Sequence, residues 1–151
     1  MLKNIANIIN LKSKELEAWY QGKLLQASPC FYSSVDLRYS GNKLVPVDTN
    51  LFPAGFNNLN LDNFEQAAKE AKAYISSHFP KAQKILLIGE DHSRNLYYLD
   101  NLKTIENIIK AAGYQCQIGS LTAEEQVSYQ GIAHNEINIF PFLVVCASSA
   151  L

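Results

Sequence analysis

Between Ser33 and Asn60 the chain gathers two carboxylates (Asp36, Asp48), one guanidinium (Arg38) and the amides of Asn42, Asn50, Asn57 and Asn58, punctuated by Pro46 and Pro53. Such a set matches both ends of a small zwitterion. Arg38 offers a forked donor to a carboxylate. Asp48, with the side-chain oxygens of Asn50, Asn57 and Asn58, offers acceptors to an ammonium group. Asp36 and Arg38 stand two residues apart, so on a strand they share one face while Val35 and Leu37 take the other. The stretch reads mostly as loop, and loops held on a scaffold are where binding groups concentrate. Two plainer readings stand beside this one. Asp36 and Arg38 could be the solvated side of a half-buried strand, and Asn50 and Asn57 could serve only to bond their own turns.

A second candidate is Gly89-Glu90-Asp91-His92-Ser93-Arg94-Asn95, where a strand over 85–88 ends and a helix begins. In open α/β sheets ligands collect beyond the carboxyl ends of strands, and the first backbone N–H groups of a helix favour an anion. Arg94 could clamp a carboxylate or phosphate, His92 could donate to a substrate or orient a carboxylate, and Asn95 completes the set. Here too there are plainer readings: Asp91 or Ser93 as a helix cap, His92 as a surface histidine, Arg94 paired with Glu90 or Asp91. Neither GxGxxG nor GxxxxGK occurs, so this is no phosphate loop. His78 and His134 stand alone and Glu90, Asp91 and His92 are adjacent, so no metal site is expected. GxSxG is absent, and no catalytic residue is assigned.

The elements that must position these groups alternate between helix and strand. Leu2, Ile5, Ile8 and Ile9, then Leu16, Trp19, Tyr20 and Leu24, predict one or two helices up to about Leu25. Ser28-Pro29 stops them. A strand is expected over Phe31–Leu37 and a short extended piece over Leu44–Val47, with Pro46 confining it to an edge or a bulge. Asp62-Asn63-Phe64-Glu65 reads as a capping box opening a helix whose buried stripe is Phe64, Ala68, Ala71, Ile75 and Phe79. Lys84–Gly89 is a continuous apolar run, which suggests a central parallel strand covered on both faces. A long helix with Leu99, Leu102, Ile105, Ile108, Ile109 and Ala112 on its apolar side follows, closed by Gly113, and then a strand over Tyr114–Ile118. This is a βαβ unit. Val127–Gln130 and Ile137–Val145 fit either a hairpin around Gly131 or a further parallel strand. The expected fold is a single α/β domain over 1–151, with a mainly parallel sheet flanked by helices on both faces.

Totals narrow the class. Apolar residues make up 48% and charged residues 18% of 151 residues, a balance that supports one folded core rather than disorder. A net charge of −1 with no Lys/Arg cluster leaves no footprint for nucleic acid. The apolar run Ile139–Ala147 is broken by Pro141 and too short to span a bilayer, and the first twenty residues lack a signal-peptide core. A cytoplasmic protein is expected. Cys30, Cys116 and Cys146 form no CxxC pair and read as reduced thiols.

Beyond these residue-level readings, VDLRYSGNKLVPVDTNLFPAGFNNLN, followed by ILLIGEDHSRNLYYLDNL and AGYQCQIGSL, resembles the start of the proteobacterial type of glutamate–cysteine ligase. The resemblance runs from about Phe31 to about Leu121, and 122–151 is a divergent tail. It implies ATP-dependent joining of the γ-carboxylate of glutamate to the amino group of cysteine, the first step of glutathione synthesis. That chemistry passes through an acyl phosphate, with Mg²⁺ neutralising the phosphates. Members of the family are several-fold longer. The chain is therefore expected to be the N-terminal, substrate-side part, resembling the N-terminal domain of ATP-grasp-type ligases, with ATP and Mg²⁺ held outside it. Glutamate and cysteine are the implied small-molecule partners, and a partner chain or a second copy is a further expectation. The alternatives are a non-catalytic small-molecule-binding or partner module and an inactive truncated fragment.

Overall fold

The computed structural model describes residues 2–27, 30–41, 43–90 and 95–142. The chain divides into two compact units, Met1–Pro53 and Ala54–Leu151. Outside the described residues fall Ser28-Pro29, Asn42, residues 91–94 (Asp91, His92, Ser93 and Arg94) and everything after 142, including Cys146 and the end of the last predicted strand.

The first unit contains helices α1 (Leu2–Leu11) and α2 (Ser13–Gln26) and strands β1 (Ser34–Tyr39) and β2 (Leu44–Asn50). The two predicted helices are present, but α2 buries nothing and Trp19 is 63% exposed. An apolar stripe shows which face wants cover, not that the same chain supplies it. The expected loop is largely an antiparallel hairpin, with β1 starting later than the predicted Phe31. The register pairs Asp36 with Asp48 and Leu37 with Pro46, so Val47 is an extra residue on β2. Pro46 has no N–H for the ladder, and a bulge beside it absorbs that loss.

In the second unit a 3₁₀ turn (Phe56–Asn58) leads into α3 (Leu61–His78), β3 (Lys84–Ile88), α4 (Leu96–Ala111), β4 (Gln115–Ser120), β5 (Val127–Gln130) and β6 (Glu136–Pro141). Strand order is β3-β4-β6-β5. The β3–β4 and β4–β6 pairs are parallel, and β5 is antiparallel to β6. Both sequence readings of the tail are thus realised, since β6 is a hairpin partner and a parallel strand at once. Helix α4 lies on β4, β3 and β6, and α3 lies against α4. Leu99 and Leu102 of α4 meet Ile118, Ile137 and Ile139 of the sheet in the central cluster, with Leu87, Tyr98 and Tyr129 packed around it.

Four expectations change here. Helix α3 starts one residue before Asp62, and its cap is Asn60, whose side chain accepts from the Asn63 N–H at 2.9 Å. Asp62 sits instead in the first turn, where the helix dipole favours it. Phe79 falls past the helix end and is 59% exposed, leaving Ala68, Ala71 and Ile75 as the buried stripe. Strand β3 is at the sheet edge, not its centre. Its apolar run does face two ways, with Leu87 turned to the core under α4 and Ile88 44% exposed. Within this unit the sheet is covered on one face, by α4. Away from α4 the sheet carries exposed Gln115, Gln117, Ser128 and Gln130, so the described residues show no second helical layer.

Candidate functional site

Residues directly opposite in an antiparallel pair share a face. The hairpin register therefore collects Ser34, Asp36, Arg38, Asp48 and Asn50, with Val45 opposite Arg38, on one side, and Val35, Leu37, Tyr39, Leu44, Pro46 and Thr49 on the other. Four of the nine predicted site residues thus form one exposed polar wall. Asp48 is held locally: its Oδ1 accepts from the Thr49 N–H at 2.9 Å and its Oδ2 from the Asn50 amide at 3.3 Å. The side chains of Asp36 and Arg38 have no hydrogen-bond or ion-pair partner among the described residues. Two carboxylates facing each other across a ladder repel, and a cation between them would remove that repulsion.

The remaining predicted residues lie in the second unit. Asn57 and Asn58 are exposed on the 3₁₀ turn. Asn95 is the cap of α4, its Oδ1 accepting from the N–H groups of Tyr97 at 3.1 Å and Tyr98 at 3.3 Å. His92 and Arg94 lie outside the described residues.

Beyond the carboxyl ends of β3 and β4 is a cavity of about 160 Å³, lined by Gly89, Glu90, Leu99, Leu102, Ile118, Gly119, Ser120, Thr122, Ala123, Val127, Tyr129 and Ile139. Its floor is the exposed top of the core cluster. Sequence periodicity gives the reason: Leu99 and Leu102 are the first inward residues of α4, and Ile118 is the last inward residue of β4. Gly89 permits the close approach, because a Cβ there would stand 2.8 Å from Leu102 Cδ1. The rim is polar. Tyr98 Oη accepts the Glu90 backbone N–H at 2.7 Å, which fixes Glu90 at the mouth. Burial raises the Tyr98 phenol above its ordinary pKa of 10.0, against the opposing pull of that backbone bond and with help from the Glu90 charge. The phenol therefore stays neutral at physiological pH. Ser120 Oγ accepts from the N–H groups of Thr122 at 3.2 Å and Ala123 at 3.1 Å, holding the turn that closes the opposite side. Among the described lining residues there is no lysine, arginine or histidine.

Sequence reasoning missed the buried polar groups of α4, which hold neighbouring segments of the chain and do not line the cavity. Asp100 and Asn101 interrupt the apolar side of α4 between Leu99 and Leu102, yet they are 5% and 2% exposed. Asn101 Oδ1 accepts from the Gly55 and Phe56 N–H groups, both at 2.9 Å. Asp100 Oδ2 accepts from Ile132 at 2.9 Å and Ala133 at 3.3 Å, while its Oδ1 is buried with no partner. Two adjacent polar residues flanked by core leucines were the available signal. Further along α4, Glu106 is 7% exposed and bridges Lys103 Nζ at 2.8 Å and Lys110 Nζ at 2.6 Å.

The architecture is that of a mixed α/β protein with a cavity at strand ends. Residues 6–146 match the glutamate–cysteine ligase family, and the chain belongs to it. The match extends beyond both ends of the segment that carries the sequence resemblance. A crystal structure assigned as a gamma-glutamylcysteine synthetase from Methylobacillus flagellatus KT superposes with a TM-score of 0.83 at 35% identity, over 93% of this chain and 34% of that one. This chain thus spans about a third of its relative's length. No curated protein matches. Family membership raises the question of ATP with magnesium, and the described residues do not fit them. Among the described residues the cavity lining has no cationic side chain, the Glu90, Tyr97 and Tyr98 N–H groups already have side-chain acceptors, and no three His, Cys, Asp or Glu side chains converge. Nor is any described helix long and apolar enough to cross a membrane.

Proposed function

We propose that this chain is the substrate-side part of a glutamate–cysteine ligase, acting in the cytoplasm, with the nucleotide and magnesium held by residues outside 1–151. The N-terminal domains of ATP-grasp-type ligases are the architectural parallel. The likeness over 93% of the chain at 35% identity carries this reading. Glutamate is recognised on the polar face of the hairpin. Its ammonium group sits against Asp36 and Asp48, and one carboxylate meets Arg38. Along a strand Asp36 and Arg38 are about 6–7 Å apart at ~3.3 Å per residue, a span suited to the two ends of an amino acid. Bringing an ammonium group between two opposed carboxylates offsets their repulsion, so ligand and wall are electrostatically complementary. Asn50 is proposed as a further contact on this wall, and Asn57, Asn58, His92, Arg94 and Asn95 are proposed separately as substrate contacts of the second unit.

The test is a titration of the 151-residue chain with millimolar glutamate, followed by backbone amide shifts and by melting temperature. Saturable shifts along β1 and β2, a raised melting temperature, and loss of both in Arg38→Ala are expected. A folded protein that ignores glutamate altogether refutes the reading. Phosphate release requiring both glutamate and cysteine is the corresponding activity assay. Its absence would assign this chain binding without turnover, the behaviour of a non-catalytic module.

A further inference from the structure

Helix α2 carries an apolar stripe that its own unit leaves uncovered. Leu16, Trp19 and Tyr20 recur at helical spacing along one face, yet they are between 42% and 63% exposed and α2 buries no residue. Ile8 and Ile9 of α1 are exposed by about half as well, and none of the described residues of the first unit is buried. Helices shorter than about 12–15 residues are marginal in water by themselves, and most helical stability in proteins comes from packing an amphipathic face. Helices α1 and α2 have 10 and 14 residues, and Gly22 inside α2 weakens it further. Both therefore need a surface to rest on. Scattered exposed apolar residues are ordinary, but a contiguous row centred on a tryptophan marks an interaction site.

Two observations bear on what covers it. The family match begins at residue 6 and includes all of α2, so the helix belongs to the body of the family. The Methylobacillus flagellatus relative gives only 34% of its chain to the region matched here, which leaves about twice as much polypeptide to supply a cover. A second copy of this chain fits less well. Lys23 stands in the stripe one turn beyond Trp19. Two α2 helices packed in parallel would set Lys23 against Lys23, and packed antiparallel would set it against Lys12, and like charges brought together oppose association. We propose, on the ligase reading above, that the Leu16–Trp19–Tyr20 stripe is the docking surface for the ligase part represented by the other two thirds of the relative. That part receives α2 in an apolar groove, with an acidic group opposite Lys23 and an acceptor for the Trp19 indole N–H. Trp19 is the anchor of the contact.

Trp19 is the chain's only tryptophan, so labelling the full 151-residue chain with 5-fluorotryptophan gives a single fluorine resonance. The probe is the unmatched two thirds of the Methylobacillus flagellatus protein, unlabelled. The resonance should respond to solvent deuterium in the chain alone, then shift saturably and lose most of that response as the probe is added. Leu16→Ala, Tyr20→Ala and Lys23→Glu should each weaken the titration, Tyr20→Ala by at least about tenfold, while Phe79→Ala in the second unit should leave it unchanged. A fusion in which this chain replaces the matched third of the relative gives a second measurement that needs no separately soluble probe. Amide exchange over 13–26 should be at least about tenfold slower there than in the chain alone. A fluorine resonance already shielded in the chain alone, or unmoved by the probe, overturns the proposal, as does equally fast exchange over 13–26 in the fusion. A shift that grows with the chain's own concentration assigns the stripe to a second copy, and one caused by anionic phospholipid vesicles but not by the probe assigns it to lipid; either result overturns the stated occupant. Glutamate shifts on β1 and β2, measured in the same samples, separate the two ideas. If they appear while Trp19 stays unmoved, the ligase reading stands and the docking surface falls; if neither responds, both fall.

Discussion

Replacing Asn101 by leucine removes the side-chain amide while keeping the number of side-chain heavy atoms, so it tests what the Oδ1 acceptor does. In the parent, Oδ1 takes two backbone N–H groups, from Gly55 and Phe56, each at 2.9 Å, in a residue only 2% exposed. Each such bond contributes about 1 kcal/mol net, and a buried donor stripped of its acceptor costs about 1–3 kcal/mol. Gly55 and Phe56 are only half-buried, so water recovers part of the loss, and about 2–4 kcal/mol is expected in all. For a chain of this size 1 kcal/mol moves the melting temperature by about 2–4 °C, which makes the fall about 4–16 °C. Calorimetry reads that number. Amide hydrogen exchange reads its location, with Gly55 and Phe56 losing protection before β4 or β6 does. Asn57→Ala and Asn58→Ala, on the exposed side of the same turn, are the controls and should stay within about 0.5 kcal/mol. An Asn101→Leu protein that melts within about 2 °C of the parent, with unchanged exchange at 55 and 56, would show that the clamp is not what holds this turn.

Two further outcomes follow from the buried groups. A Cβ on Gly131 would run into Asp100 Oδ1 and crowd Ile137 Cδ1 at 3.1 Å, so Gly131→Ala should destabilise by about 1–3 kcal/mol. Adding Asp100→Ala to it should then cost less than the sum of the two single changes, since they share one contact; strict additivity in urea titrations would refute the clash. Burial pushes the Cys116 thiol from an ordinary 9.0 up to about 12, with the Glu106 charge adding to this and Lys110 opposing it. Its raised folded pKa means the proton is held more tightly in the native state, so this contribution to stability is whole below pH 9 and is lost as pH climbs from 9 to 12. Tyr98 acts in the same direction. Cys116→Ala should flatten the stability–pH curve in that window, and Glu106→Gln should lower the alkylation midpoint of Cys116 while leaving it above 9. Fast labelling of Cys116 at pH 8 by mass spectrometry would contradict this.

How far the sequence could be read depended on the range of the forces involved. The α4 apolar side, its Gly113 end and the β4 alternation were legible because they follow from local periodicity, and the structure has them at 96–111 and 115–120. Strand β3 misled because an apolar run reports which side chains avoid water, not how many neighbouring strands are present. The α3 cap was misread by two residues because Asn60 and Asp62 can both accept from a helix N-terminus, and only the chain's entry geometry selects Asn60. For the polar groups, the shared face of Asp36 and Arg38 was visible from their spacing. That Asp48 and Asn50 join them depends on a cross-strand register set by the bulge at Val47, which no single strand encodes. The cavity was harder still. Its position after 85–88 was legible, but its floor comes from α4, β4 and β6 together, and Asp100 and Asn101 look like solvent-facing residues until the segments they bind are in place.

Helix α4 does three jobs along four consecutive residues. Leu99 and Leu102 roof the core, Asp100 grips the β5–β6 turn, and Asn101 grips the segment ahead of α3. Those distant stretches of chain have no independent way to come loose. Opening either means stranding a buried side-chain oxygen on the helix, and lifting the helix frees both at once. Such an arrangement welds local fluctuations into a shared, all-or-none event, so occupancy of the cavity beside Leu99 would be felt as added rigidity at residues 55–56 and 132–133, well away from whatever had bound.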